Sequence, residues 1–220
     1  MNTVIIACKT ISDELTYSIK KTGVPYSVAW LESGLHNTPK KLNERLAETF
    51  DSISADRVLL AMGFCGNAIQ GIKAGGFELI IPYVDDCISL LLGSIKNRAE
   101  ISSEFAAYFL TEGWLRGERN ISVEYKYAVD KFGEEEAKSL AAAMFGHYRT
   151  IALLDTGLAP IAPLLNATEY IAKILELEQK VIPATLSYIE QLLTGPWTTD
   201  KFIIKRPGEE VTASDLVIRI

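Results

Sequence analysis

Short β-branched and apolar runs alternate with amphipathic stretches of helical length through the first half of this chain. That alternation restricts the fold more than any other feature. Thr3 to Ala7 reads as a strand, and Ser12 with Asp13 opens a helix that reaches about Lys21, where Gly23 and Pro25 stop it. Tyr26 to Leu31 is a second strand, and Asn37-Thr38-Pro39 caps a helix running to about Phe50. Arg57 to Met62 reads as a third strand, Asn67 to Ala74 as a short helix, Glu78 to Tyr83 as a fourth strand and Asp86 to Leu92 as another helix. Strands separated by helices of this length require right-handed crossovers between parallel neighbours. The expected fold is therefore α/β, a doubly wound, mostly parallel sheet in a flavodoxin-like or Rossmann-like three-layer sandwich.

The middle of the chain reads differently. Ser102 to Phe109, Ile121 to Phe132 and Glu134 to Met144 have helical patterns around Thr111-Glu112-Gly113-Trp114, so residues 95–149 are expected as a helical insertion or lid. Thr150 to Leu154 returns to the sheet, Pro160 to Leu177 and Pro183 to Leu193 are helices, and Lys201 to Ile204 is a last strand. At 220 residues and 48% hydrophobic, the chain is long enough to bury a full core as one domain, 1–220.

A net charge of -6 without a basic stripe argues against nucleic acid as a partner. The most apolar stretch, Ile151 to Leu165, is broken by Asp155, Gly157, Pro160 and Pro163 well short of a membrane span. MNTVIIACKT lacks the basic leader and cleavage site of a signal peptide, so the expected location is cytoplasmic, where thiols stay reduced.

The chain has three cysteines, and Cys8, Cys65 and Cys87 each stand where an expected strand runs out. There is no C-x-x-C pair and no even count to suggest a disulfide framework. In open α/β sheets, ligands bind outside the carboxyl ends of the strands, near the point where strand order reverses. With order 2-1-3-4, the cysteine-bearing strands are consecutive and the outer two lie roughly 10 Å apart. A [4Fe-4S] cluster tolerates that span more easily than a single zinc, whose sulfurs must converge to about 2.3 Å from the metal. Three thiolates leave one position open, as a catalytic site requires. Cys65 and Cys87 fall at expected helix starts, where amides favour a thiolate. Against this stands the ordinary role of free cysteine as a small buried hydrophobe.

Other residues share the same edge. His36, in a Gly-Leu-His-Asn-Thr-Pro turn, is a candidate fourth ligand or general base, or a loop histidine bonded to its own turn. Asp85 and Asp86 suit a hard cation, although an aspartate at a helix start is usually a cap. Gly63, Gly66 and Asn67 form a tight turn that lets the backbone approach whatever Cys65 holds, and their spacing is not that of a nucleotide loop. Asp155, at the end of a later strand, is a pocket candidate, whereas His147, Tyr148 and Trp114 fit core or helix-end roles at least as well.

Ile6-Ala7-Cys8, Gly34 to Pro39, Gly63-Phe64-Cys65-Gly66-Asn67, Asp86 to Ser94 and Glu112-Gly113-Trp114 together resemble the domain of unknown function (DUF) family 1638. The likeness continues in His147-Tyr148-Arg149, Asp155-Thr156-Gly157 and Pro207-Gly208. The resemblance implies a shared role for all three cysteine positions and an association with corrinoid-dependent methyltransferase systems of anaerobic metabolism, without a defined reaction. The chain departs from the family pattern at Tyr83, where arginine is usual, and at Asp85, where histidine is usual.

The expected function is thus metal binding, through an iron-sulfur cluster or zinc, in corrinoid-linked one-carbon chemistry. Two alternatives are a non-catalytic accessory or metal-delivery protein for a corrinoid methyltransferase, and a cofactor-free enzyme with Cys65 as nucleophile. Expected partners are a small-molecule substrate or a methyltransferase protein, and a second copy of the chain through an apolar face of the second half.

Overall fold

The computed structural model of the protein describes residues 1–117 and 120–218. It divides the chain into two compact units, Met1–Ile95 with Thr185–Ile220, and Lys96–Ala184.

The first unit follows the expected alternation closely. Strand β1 (Thr3–Cys8) leads through a short 3-10 turn to helix α1 (Ser12–Thr22), and strand β2 (Ser27–Leu31) leads to helix α2 (Pro39–Ser52). Leu42, Leu46 and Phe50 recur every fourth residue along α2 and form its buried face, with Pro39 in the first turn, where its missing N–H costs nothing. Strands β3 (Arg57–Ala61) and β4 (Glu78–Pro82) follow, then the short helix α3 (Cys87–Leu91). The sheet order is β2-β1-β3-β4-β8, in which β8 (Phe202–Lys205) is antiparallel to β4 and the other pairs are parallel. Ile5, Ile6, Leu59, Leu60, Ile80 and Ile81 are sealed within it.

One expected element is absent from this unit: residues 67–74 form turns and not a helix. Cys65, Gly66 and Asn67 all have left-handed backbone, at φ of 46, 68 and 64 degrees, which no right-handed helix accepts. The amides beyond them bond elsewhere, Gly71 to the Val211 carbonyl at 2.8 Å and Ala74 to that of Glu209 at 2.9 Å.

The second unit carries its own sheet. Helix α4 (Ile95–Phe105) stops before strand β5 (Ala107–Leu110), and helices α5 (Glu112–Leu115), α6 (Ile121–Phe132) and α7 (Glu134–Phe145) lead to strand β6 (Thr150–Asp155). Helix α8 (Ala162–Ile174) then leads to strand β7 (Glu178–Pro183), and helix α9 (Ser187–Thr194) belongs to the first unit. The sheet order is β5-β6-β7, all parallel. Thr150 to Asp155 therefore pairs with β5 and β7 and not with the first sheet. Part of the expected Ser102 to Phe109 helix is strand, because Ala106 turns left-handed at φ 45 and ends α4. Glu176, at φ 54, separates α8 from β7 in the same way.

The fold is α/β with mostly parallel sheets, and its helices lie on both sides of them as in a three-layer sandwich. Among the described residues, no helix is long and apolar enough to cross a membrane.

Candidate metal centre

Strand order decides which cysteines can meet. The chain passes from β1 outward to β2 and then returns to the other side of β1 as β3, so the reversal lies between β1 and β3. Cys8 ends β1 and Cys65 follows β3, which puts them on either side of that reversal, and Cys87 follows the next strand, β4. A doubly wound sheet opens its ligand crevice at this location.

Backbone bonds fix the two later cysteines further. Beyond the strand ends, the Phe64 amide donates to the Val84 carbonyl at 2.9 Å and the Cys65 amide to the Asp85 carbonyl at 2.8 Å. Gly63 lies so close to the second segment that a Cβ there would come within 2.5 Å of the Asp86 Cα and backbone nitrogen. No residue with a side chain fits without moving one loop. The left-handed turn at 65–67 is tied down by Asn43 of α2, whose Nδ2 donates to the Ala68 carbonyl at 2.7 Å and to that of Gln70 at 3.0 Å. Left-handed backbone at Cys65 and Asn67 costs roughly 1–2 kcal/mol per residue, strain that persists where surrounding structure enforces it.

All three thiols are free and buried, Cys8 and Cys65 at 8% exposure and Cys87 at 4%. The Cys8 sulfur lies 3.0 Å from Thr10 Oγ1, itself buried. Burial and the Cys87 sulfur push the Cys8 thiol up to about 11, against the counteracting bonds to Thr10. Hydrogen bonding with Cys65 raises Cys87 well above the ordinary thiol value, with burial and the charges of Cys65 and Asp86 adding to it and the Gly63 backbone opposing. The expectation that helix-start amides would make these groups thiolates is overturned at two points: Cys65 begins no helix, and at Cys87, the first residue of the short α3, burial and a neighbouring sulfur outweigh the amides.

The remaining candidates fall into two groups. Asp86 is the N-cap of α3, accepting from the Ser89 amide at 2.9 Å, and Asp85 Oδ1 accepts from the Asp86 amide at 3.1 Å and from the Ser89 hydroxyl. The Asp-x-x-Ser spacing marks that cap in the sequence, and Ser89 is the partner of both carboxylates. Thr10 carries no sequence signal beyond its position two residues after Cys8. His36 is half-buried in a 3-10 turn (Leu35–Asn37), and burial lowers its pKa. Pro39, three residues on, is the nearest neighbour a Gly66 Cβ would meet, at 3.1 Å. Tyr83 packs edge-on to Phe64 at 5.5 Å and donates to the Val217 carbonyl.

Asp155, His147, Tyr148 and Trp114 belong to the second unit. Asp155 Oδ1 accepts from the Gly157 amide at 2.9 Å, the His147 and Tyr148 rings lie 4.0 Å apart at a tilt of 41°, and Trp114 packs against that unit's core.

Among the described residues, no three His, Cys, Asp or Glu side chains form a ready metal-holding group. The three cysteines stand at the carboxyl ends of β1, β3 and β4, and thiolate is a soft donor.

Comparison with curated proteins and with solved structures gives no match. A family model described as protein of unknown function (DUF1638) matches residues 30–193, a stretch that contains Cys65 and Cys87 and begins after Cys8. The match covers well over half of the chain, which therefore belongs to that family.

Proposed function

We propose that Cys8, Cys65 and Cys87 hold one metal centre at the carboxyl edge of β1, β3 and β4. The observation that carries this reading is the strand order, which makes the three cysteine-bearing strands consecutive beside the reversal. Binding requires Cys8 to exchange its Thr10 contact for the metal. A span of roughly 10 Å across three strands suits a [4Fe-4S] cluster better than a lone zinc, for which the loops must close further.

When bound, such a centre supplies a Lewis-acidic position to which a thiol or other soft substrate group can attach. The protein's own groups do the rest. Gly63 permits the close approach of the loops, the strained turn aims Cys65, and Asp86 with Ser89 holds the start of α3 so that Cys87 is presented from its first position. His36 and Asp85 remain the candidates for proton transfer, and Gly66 with Asn67 forms the outer rim of the site. The raised thiol values speak against Cys8 or Cys87 as an unassisted nucleophile, because the reactive thiolate is scarce at neutral pH. A role beside corrinoid-dependent methyl transfer, as enzyme or as accessory protein, is the context the family resemblance suggests.

Anaerobic purification, with metal and acid-labile sulfide analysis of the wild type and each single Cys→Ser variant, tests the reading. Loss of a stoichiometric metal in all three variants supports it, and a metal-free wild-type protein under anaerobic preparation refutes it.

A further inference from the structure

Two helices of 12 residues each, α6 and α7, carry five of the eleven large apolar side chains exposed among the described residues. They are Val123, Tyr127, Phe132, Leu140 and Met144, and apolar side chains gathered in this way mark a contact surface where single scattered ones do not. Helix α7 is poorly anchored by what lies beneath it. Its buried residues are Ala137 and Ala141, with Phe145 partly buried, whereas α2, of similar length, buries Leu42, Leu46 and Phe50. A helix this short is held by the packing of its apolar face, yet Leu140 and Met144, one turn apart, lie exposed. Gly133 alone connects α6 to α7, so the two form a hairpin. A cavity of about 160 Å³ lies between them, lined by Glu124, Tyr127, Ala128, Ala137, Leu140 and Met144 among others. A hole of that size takes one large side chain, as an apolar cavity of about 150 Å³ takes benzene.

We infer that this face is the contact surface of a two-fold homodimer, in which a second copy lays its own hairpin antiparallel against the groove and the four helices form a bundle. The sequence of α6 is self-complementary for that arrangement. Glu124 and Lys131 are seven residues apart, two turns along one face, with Tyr127 and Ala128 between them. A two-fold axis through the midpoint of Tyr127 and Ala128 reverses the helix upon its copy. Each Glu124 then comes level with the other copy's Lys131, and each Tyr127 level with the other copy's Ala128. Opposite charges meet at both ends, and a large side chain meets a small one at the centre. Parallel pairing would instead set Glu124 level with Glu124 and Lys131 with Lys131. Both charges border the groove: Glu124 lines the cavity, and Lys131 donates to the Tyr127 hydroxyl at 3.2 Å with its nitrogen 5.1 Å from the Phe132 ring centre. Tyr127, 57% exposed, is the side chain that enters the other copy's cavity. A helix of 12 residues gives a face about 18 Å long, at the small end for a stable interface, so the dimer dissociates in the micromolar range. These residues all belong to the second unit, and the dimer does not depend on the metal centre proposed above.

Sedimentation velocity of the reduced full-length chain, from low to high micromolar concentration, tests the dimer. The expected result is a reversible monomer–dimer equilibrium, with the α6 and α7 amides more protected from hydrogen exchange at the higher concentration. Tyr127→Glu and Met144→Glu each place two carboxylates in the apolar seam and raise the dissociation constant by about tenfold or more. Lys131→Glu raises it about fivefold, and adding Glu124→Lys to Lys131→Glu restores it to within about twofold of the wild type. Far-UV circular dichroism checks that each variant keeps its helices. Tyr127 and Met144 stand on different helices, so a misfolded variant of one leaves the other to decide. A wild-type chain that stays monomeric throughout overturns the dimer, including where another protein is found on this face. A dimer that both carboxylate variants leave intact overturns the face. A double swap as weak as Lys131→Glu alone overturns the antiparallel register.

Discussion

The two sheets of this protein are both built mainly from parallel strands and crossover helices, yet only one reverses its strand order. In the first, β2 and β3 flank β1, and the loops after β1 and β3 diverge around a reversal where Cys8 and Cys65 stand. In the second, β5, β6 and β7 lie side by side in chain order, so no reversal opens a crevice. The polar groups at its carboxyl edge are engaged with their own backbone: Thr111 Oγ1 accepts from the Trp114 amide at 3.2 Å and Asp155 Oδ1 from the Gly157 amide at 2.9 Å. The contrast shows that a strand-end position becomes a candidate site through topology. A polar residue at a strand end without a reversal closes a turn.

Substitutions at the two edges therefore have unequal effects. Cys65→Ser or Cys87→Ser lowers bound metal to less than a tenth of the wild-type content, whereas Asp155→Asn leaves it unchanged; elemental analysis of anaerobically purified protein checks both. Equal metal loss in Asp155→Asn breaks the comparison. Gly63→Ala forces a Cβ onto the Asp86 backbone and destabilises the protein by about 3 kcal/mol in denaturant melts. Gly157→Ala, left-handed but with nothing within 4 Å, costs only about 1 kcal/mol.

Alkaline pH sharpens the same comparison. Because the folded Cys8 thiol lies at about 11 against an ordinary 9.0, its contribution to stability is complete below pH 9 and is lost as pH rises through about 11. The metal-free protein should lose on the order of 2–3 kcal/mol across that window from this group, and Cys8→Ala should flatten the decline in pH-dependent melts. The smallest effect is expected at Asn67, where glycine relieves left-handed strain and alanine adds about 1 kcal/mol of it, read as opposite shifts in melting temperature.

Much of the first unit was legible because its strand runs and helix caps agree with one another. The strand runs and the spans of α1 and α2 follow from periodicity, with Gly23 and Pro39 as punctuation, and the 2-1-3-4 order, taken as the condition for adjacent cysteine strands, is the order of the sheet. The second unit was less legible because its breaks carry no such punctuation. Ala106 and Glu176 end α4 and α8 in left-handed conformations that alanine and glutamate seldom adopt, so the helical pattern reads through into β5 and past the end of α8 to Leu177, and β7 carries no strand signal of its own. The turn at 65–67 failed in the opposite sense: its helix-forming successors, Ala68 to Gln70, suggested a helix, but the backbone amides that would continue it bond to the distant 209–211 segment. Contacts across sequence, such as Gly63 on Asp86, leave no local signal.

The central claim is that three sulfurs share one metal. X-ray absorption at the zinc edge of the reduced, zinc-loaded protein measures it directly. The account predicts three sulfur neighbours at about 2.3 Å with one lighter atom in the fourth position, and a first shell of two or fewer sulfurs, dominated by nitrogen or oxygen at about 2.0–2.1 Å, contradicts it.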